Sequence, residues 1–98
     1  MTTNLIAERY DALRKSIPAV RPPDVVFLTR GVVALGADRE VLELVRDFDT
    51  FTEANDPHGE HDFGSFSYEG HKIFWKIDNY DGQDGHELVL TVMLADEY

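Results

Sequence analysis

Residues 55–64, with the sequence NDPHGEHDFG, hold two histidines and three acids within ten positions. Imidazole and carboxylate groups are common zinc ligands and common proton-transfer groups in enzymes. His58 and His61 are three residues apart, a spacing that would bring both imidazoles to one side of a helical turn. This pair and its neighbouring acids therefore form a candidate metal site, and a metal-dependent hydrolase is one hypothesis for the function.

The local composition does not favour this chemistry. Pro57 and Gly59 disfavour a helix between the two histidines, so their spacing fixes no metal geometry. The chain contains no established metal-binding signature and no glycine-rich phosphate loop. Ser65 and Ser67 lie in a predicted strand and not in the sharp turn that exposes a nucleophilic serine. We therefore predict no catalytic residue and no cofactor.

The same stretch has the residues of a stiff turn. Asn55 and Asp56 are types whose side chains accept hydrogen bonds from backbone amides a few residues on. Gly59 and Gly64 tolerate a left-handed backbone, and Phe63 is expected to anchor the loop in the core. The stretch is therefore predicted to be a rigid turn, and a rigid acidic turn is also a suitable binding surface.

Charge is distributed unevenly along the chain. The protein has a net charge of −10, and residues 51–98 hold eleven acids against only Lys72 and Lys76. Residues 1–50, with eight acids and seven basic residues, are nearly neutral. A surface of this kind repels nucleic acids and anionic lipids and attracts basic protein surfaces. The charge argues against direct nucleic-acid binding and favours a basic protein partner.

The remaining bulk properties indicate one cytoplasmic domain. A chain of 98 residues can build one modest core and no second one. It has no cysteine, so stability must come from packing and not from disulfides. Its first residues are charged throughout, and no run of eighteen apolar residues occurs, so neither a signal peptide nor a membrane segment is predicted.

Apolar spacing predicts two helices. The first is expected over residues 3–16, and the second over residues 39–48 with Asp38 as its N-cap. The stripe of the first helix consists of four apolar residues at spacings of four, three and four: Ile6, Tyr10, Leu13 and Ile17. Residues 30–36, between the helices, are predicted to form a short strand or an irregular connection.

Four segments have the composition of strands. Residues 25–29 are β-rich and apolar, and residues 63–78 form a hairpin that turns at Glu69-Gly70. Residues 87–95 are nearly all apolar, as in a central strand that is covered on both faces. The predicted fold is α+β: an antiparallel sheet of three to five strands with two helices packed on one face. Residues 1–24 form the N-terminal helix and a proline-rich connector, and residues 25–98 form the core of the single domain.

Four runs of the sequence carry a resemblance to a known family: TRGVVALG, FDTFTEANDPHGEHDFGSF, WKIDNYD and LTVMLADEY. They resemble a family of small bacterial proteins that is catalogued as a domain of unknown function and occurs on plasmids, phages and other mobile elements. The resemblance covers residues 29–98 and implies no activity. It implies a genomic setting in which small acidic proteins are often anti-defence factors, including anti-CRISPR and anti-restriction proteins.

These observations lead to a functional hypothesis. The protein is predicted to be a non-enzymatic inhibitor that mimics nucleic acid and binds the basic groove of a host defence complex, such as a CRISPR effector. The hypothesis expects the loop over residues 53–62 and the turn over residues 78–87 to project from the same end of the sheet. The predicted partner-binding residues are the acids of the two turns and the two histidines of the first: Glu53, Asp56, His58, Glu60, His61, Asp62, Asp78, Asp81, Asp84 and Glu87.

Two alternatives stay open at this point. The first is the hydrolase that uses a metal at His58 and His61. The second is a small structural or toxin–antitoxin type of interaction protein, for which exposure of Phe66, Tyr68 or Phe74 would be the expected feature.

Overall fold

The computed structural model of the protein describes residues 5–80 and 87–98. It confirms the α+β class, with a four-stranded sheet and three helices in the described part of the chain. The elements in chain order are α1 (Leu5–Lys15), β1 (Val25–Leu28), α2 (Arg30–Ala34), α3 (Asp38–Arg46), β2 (Phe63–Tyr68), β3 (His71–Asn79) and β4 (Leu88–Leu94), followed by a 3-10 turn (Ala95–Glu97).

The sheet is mixed, so the prediction of a strictly antiparallel sheet was wrong. The strand order is β1-β4-β3-β2, in which β1 pairs with β4 in parallel and the other two pairs are antiparallel. After β1, the chain passes through α2, α3 and a long loop to the far edge of the sheet, where β2 begins. β3 runs antiparallel to β2, and β4 runs antiparallel to β3, so β4 has the same direction as β2. β4 lies next to β1 and also runs in the direction of β1.

The helices and one face of the sheet enclose the core. Ile73, Trp75 and Ile77 alternate along β3 and are buried on this face, which confirms the predicted alternation of that strand. β4 is an inner strand of the sheet, and most of its residues are buried, as its apolar sequence predicts. Val41 and Val45 bring α3 onto the same cluster.

The two predicted helices are present with small changes at their ends. α1 ends within one residue of the prediction, but Ile6 of the predicted stripe is exposed and Ala7 is buried instead. α3 begins one residue early, with Ala37 as N-cap. Asp38, the predicted cap, lies inside the first turn of the helix, where its negative charge still favours the helix dipole.

α2 replaces the short strand or irregular connection that was predicted for residues 30–36. Its first turn is bound by Glu97, which lies at the opposite end of the chain. The Glu97 carboxylate accepts hydrogen bonds from the hydroxyl of Thr29 at 2.6 Å and from the amides of Gly31 at 2.9 Å and Leu94 at 2.8 Å. These hydrogen bonds hold the pKa of Glu97 below its ordinary value, and the one from the Thr29 hydroxyl has the largest effect. The helix therefore depends on a contact that no local pattern reveals.

Replacing Glu97 with alanine is expected to lower the melting temperature by a few degrees, because two backbone amides lose a charged acceptor. Gly31→Ala should have the same effect, since a Cβ at this position would lie 2.7 Å from the Glu97 carboxylate and displace it. Thermal unfolding of both variants and of the double variant tests this. The double variant should be no less stable than the worse single variant, and additive losses would contradict the contact.

The hairpin between β2 and β3 forms as predicted. Glu69 and Gly70 both have positive φ angles, of 47° and 82°, as a two-residue hairpin turn of type I′ requires. Gly64 is a different case, because it lies within β2 and is not among the residues with a left-handed backbone. A side chain there would overlap the indole ring of Trp75, so Gly64 is needed for close packing.

Candidate functional site

The stretch over residues 55–64 is a turn that Asp56 holds together. Its carboxylate accepts hydrogen bonds from the amides of Glu60 at 3.1 Å and His61 at 3.2 Å. Gly59 and His61 have positive φ angles of 63° and 57°, which give the turn its tight path. The Asp56 side chain is only 6% exposed, so its carboxylate acts mainly inside the turn.

His61 connects this turn to α1. Its Nδ1 lies 2.9 Å from one oxygen of Asp11 and 3.0 Å from the other, and its Nε2 lies 3.7 Å from Asp56. The imidazole also stacks on Phe51, with 3.9 Å between ring centroids and an angle of 3° between the planes. Both ring nitrogens therefore face carboxylates, which suits a fixed structural role.

Arg14 lies behind this pair and is almost completely buried, with 1% of its surface exposed. Its Nη1 donates to the carbonyls of Val45 at 3.0 Å, Arg46 at 3.3 Å and Phe48 at 2.8 Å, and thereby caps the carboxyl end of α3. Its Nη2 donates to Asp11 at 2.7 Å. The guanidinium also lies over two aromatic rings, at 5.3 Å from the Phe51 centroid and 5.0 Å from the Trp75 centroid.

Arg14 and Asp11, which are not among the residues predicted from the sequence, connect α1 to both α3 and the acidic turn. One signal was available, since Arg14 is four residues after Tyr10 and three before Ile17 and therefore lies on the apolar stripe of α1. Phe63, the predicted anchor of the turn, instead packs on the other face of the sheet against Phe74, at 5.3 Å between ring centroids. Phe51 occupies the anchoring position.

The Asp11 carboxyl predicts a pH dependence of stability. Burial alone raises the pKa of Asp11, but hydrogen bonds from Arg14 and His61 outweigh it and hold the pKa below its ordinary value of 3.8. A carboxyl with a lowered pKa in the folded state stabilises the protein above the pKa of the unfolded state, and this contribution is lost as the pH falls through the folded pKa. The stability advantage of wild type over Asp11→Asn should be full at neutral pH and should shrink below about pH 4.

Melting temperatures of both proteins from pH 6 to pH 3 measure this advantage. The variant Asp96→Asn, which changes an exposed acid, is the control, and its difference in melting temperature from wild type should change little with pH. An advantage of the same size at both ends of the range would contradict the role of Asp11.

The alternative metal site would require ligands that converge. Among residues 5–80 and 87–98, no group of three or more histidine, aspartate or glutamate residues is arranged to hold a metal ion. His58 is exposed on the turn, and the neighbouring His61 is directed toward Asp11 and Asp56. The structure therefore gives the two histidines different surroundings and does not pair them.

The sheet topology brings the two acidic turns to one end. β2 and β4 begin at this end of the sheet, and β3 ends at it. Two hydrogen bonds join the neighbouring chain segments here. The amide of Ile77 donates to the carbonyl of Asp62 at 2.8 Å, and the amide of Tyr80 donates to the carbonyl of Glu87 at 2.8 Å. We use the name acidic end for four of the described acids at this end of the sheet: Glu60, Asp62, Asp78 and Glu87. The described residues that flank the two turns thus lie at one end of the sheet.

Two acids of the acidic end, Glu60 and Asp62, act on Tyr10 of α1. Burial is the main cause that raises the pKa of the Tyr10 hydroxyl, the negative charges of Glu60 and Asp62 raise it further, and a hydrogen bond with Asn79 opposes them. Two basic side chains form ion pairs with the other two acids of this end. Arg9 lies 3.3 Å from Glu87, and Lys76 lies 3.2 Å from Asp78. We call Glu60 and Asp62 the central carboxylates of this end, since no salt bridge to a basic side chain in the described part of the chain involves either of them, whereas Asp78 and Glu87 each have one.

Glu53, another of the predicted partner-binding residues, lies in a different turn. Glu53 is exposed in a turn over residues 52–55, whose Asn55 borders a groove together with Ser65 and Phe66 of β2. Asp81 and Asp84 lie outside the described residues.

The apolar surface is not where the interaction-protein alternative expects it. Phe66, Tyr68 and Phe74 are each partly buried. The most exposed apolar residues in the described part of the chain include Leu5 at 73% and Tyr98 at 74%. No helix in residues 5–80 and 87–98 has the length and apolar character that a membrane span requires.

Comparisons with known proteins identify a family. Residues 28–88 match the family model described as a protein of unknown function, DUF3768. No curated protein and no solved structure matches the chain. The matched residues run from the end of β1 to the start of β4 and include both acidic turns. Since the match covers more than half of the sequence, the chain belongs to the DUF3768 family.

Proposed function

We propose that the protein is a non-enzymatic binding protein whose acidic end docks on a basic, nucleic-acid-binding surface of a larger complex. The observation that supports this is that Glu60, Asp62, Asp78 and Glu87, described residues of two acidic turns, lie at one end of the sheet. Carboxylates on an ordered backbone can take the place of phosphates and engage arginine and lysine side chains of the partner. The partner would lose access to its nucleic acid for as long as the protein is bound.

The hydrogen bonds beneath the acidic end support a binding role. Asp56 binds the backbone amide of His61, and Asp11 binds its imidazole, so both acids fix the turn. The fixed turn holds Glu60 and Asp62 where their charges act on Tyr10. A surface that is ordered before binding loses less conformational entropy when it docks. The internal contacts of Asp56 and His61 thus serve the proposed function indirectly, by fixing the partly exposed residues Glu60 and Asp62.

The partner class to test first is a host defence complex that handles nucleic acid, such as a CRISPR effector. The mobile-element setting that the family resemblance implies favours this class. The net charge of −10 gives long-range attraction to a basic groove, which would speed association and make it sensitive to salt.

A capture experiment with matched baits tests the proposal. The wild-type protein, the variant Glu60→Gln with Asp62→Asn, and the variant Glu40→Gln with Asp96→Asn are immobilised and exposed to lysates of bacteria that carry different defence systems. The two variants change the net charge equally, but the second changes exposed acids away from the acidic end. Mass spectrometry should find the same nucleic-acid-handling complex on the wild-type and Glu40/Asp96 baits, and much less of it on the Glu60/Asp62 bait.

Recovery of no nucleic-acid-handling complex from any of the lysates would contradict the proposal. Equal capture by both variants would also contradict it, because the net charge and not the acidic end would then decide binding.

A further inference from the structure

The outer edge of β1 has backbone groups that nothing in the described part of the chain pairs with. The amide of Thr29 donates to the carbonyl of Val92 at 3.0 Å, and alternate residues of a strand turn their N–H and C=O groups to the same side. Val25 and Phe27 therefore also face β4. Val26 and Leu28 turn their backbone groups outward, and in residues 5–80 and 87–98 these groups have no partner.

We propose that β1 pairs in antiparallel fashion with β1 of a second copy of this chain, so that the two sheets form one continuous sheet of eight strands. One register lets both outward residues of each copy exchange hydrogen bonds. In it, Val26 lies opposite Leu28 of the second copy and Leu28 lies opposite Val26. Phe27 then lies on the two-fold axis, next to Phe27 of the second copy, in a pair without hydrogen bonds.

The charges that flank β1 fit this register. Asp24 precedes the strand and Arg30, the first residue of α2, follows it by one residue, so the register brings Asp24 of each copy toward the start of α2 in the other. Arg30 is exposed, and one carboxylate oxygen of Asp24 accepts a hydrogen bond from the amide of Leu88 in β4 at 3.1 Å, which leaves the other oxygen for Arg30 of the second copy. Two-fold symmetry makes two such ion pairs, whereas a parallel pairing of the strands would place like charges side by side.

The antiparallel arrangement also reduces charge repulsion between the copies. β1 starts at the acidic end, where the amide of Glu87 donates to the carbonyl of Pro23 at 3.2 Å. Since the two β1 strands run in opposite directions, the acidic ends lie at opposite ends of the joint sheet. Two chains that each carry a net charge of −10 can therefore associate with their most negative regions far apart.

Side chains of β1 border a groove. On the helix face, an apolar groove of about 430 Å³ borders the strand and includes Pro18, Val20 and Leu42 among its lining residues. Val26 and Leu28 line the same groove, so the corresponding side chains of the second copy would lie at its rim. The edge itself is apolar, which favours pairing over exposure to water.

Cross-linking tests the register directly. The chain has no cysteine, so Phe27→Cys introduces a single thiol at the proposed two-fold axis. The Cα atoms of such a pair lie about 4.5 Å apart, within the range for a disulfide. Val33→Cys is the control, because Val33 has nearly the same exposure, 51% against 50% for Phe27, but lies outside β1. Mild oxidation should convert Phe27→Cys into a covalent dimer much faster than Val33→Cys.

Light scattering from micromolar to near-millimolar concentration supplies the second measurement. The wild-type protein should show a reversible dimer, Phe27→Lys should be monomeric, and Val33→Lys should behave like wild type. Arg30→Glu at low salt should raise the dissociation constant by at least about fivefold, because two ion pairs become repulsive.

A monomer at every concentration would overturn the proposal. A dimer in which both cysteine variants cross-link at equal rates would overturn it too, since the contact would then lie elsewhere.

Discussion

Replacing Arg14 with alanine is expected to lower the free energy of unfolding by about 3–5 kcal/mol. The change removes the shared donor of three carbonyls at the end of α3 and leaves the Asp11 carboxylate without its closest cation. It also leaves a cavity between Phe51 and Trp75, where the guanidinium packs. Urea unfolding measures the loss as a lower midpoint at an unchanged slope.

Two further variants separate the causes. Arg14→Met keeps most of the volume and removes the hydrogen bonds, so its loss should lie between those of wild type and Arg14→Ala. Arg39→Ala is the matched control, because the Arg39 side chain is 87% exposed and its ion pair with Glu43 lies on the surface. Its effect should stay within about 0.5 kcal/mol. A similarly small effect of Arg14→Ala would contradict the proposed capping role.

Replacing Gly64 with alanine is expected to destabilise the protein by about 1–3 kcal/mol through overpacking. The added methyl group would overlap Nε1 of Trp75 and lie 2.6 Å from its Cε2, and Trp75 is fully buried. Ser65→Ala, on the opposite face of β2, should have a much smaller effect. Unfolding by urea gives both values.

A smaller ring should relieve the overlap at Gly64. The double variant Gly64→Ala with Trp75→Phe is therefore expected to be more stable than the sum of the two single losses predicts. Strict additivity would show that the methyl group and the indole do not meet.

The elements that follow from local pattern could be predicted from the sequence. The hairpin of β2 and β3 depends on Glu69-Gly70 and on alternation in β3, both of which can be seen within a few residues. The same holds for β4 as an inner strand and for the extent of α1 and α3, where apolar spacing carries the signal. The acidic end follows in part, because two antiparallel pairs in succession bring the start of β2, the end of β3 and the start of β4 to one end of the sheet.

The features that the sequence did not reveal depend on distant contacts. α2 is capped by Glu97, a residue 66 positions away from Gly31, and the parallel pairing of β1 with β4 depends on the route of the whole chain. Arg14 was missed because a charged residue on an apolar stripe is normally assumed to reach solvent. It is buried here since the end of α3 offers three carbonyls at the right distance.

The motif over residues 55–64 depends both on local composition and on a contact between residues that are distant in the sequence. Its composition correctly indicates a turn in which Asp56 accepts backbone hydrogen bonds. The partner of His61 could not be predicted, because Asp11 is 50 residues away in the sequence. With that contact, the turn is attached to α1, and this attachment places Glu60 and Asp62 at the acidic end.

The proposed function can be tested most directly by titrating the captured complex with three proteins and measuring each dissociation constant at several salt concentrations. These are the wild-type protein, the variant Glu60→Gln with Asp62→Asn, and the control Glu40→Gln with Asp96→Asn, which has the same net charge. Loss of the two central carboxylates should raise the dissociation constant by about tenfold or more, equivalent to ~1.4 kcal/mol, and should weaken its salt dependence. The control should bind like wild type, and equal affinities of the two variants would show that the acidic end is not the binding surface.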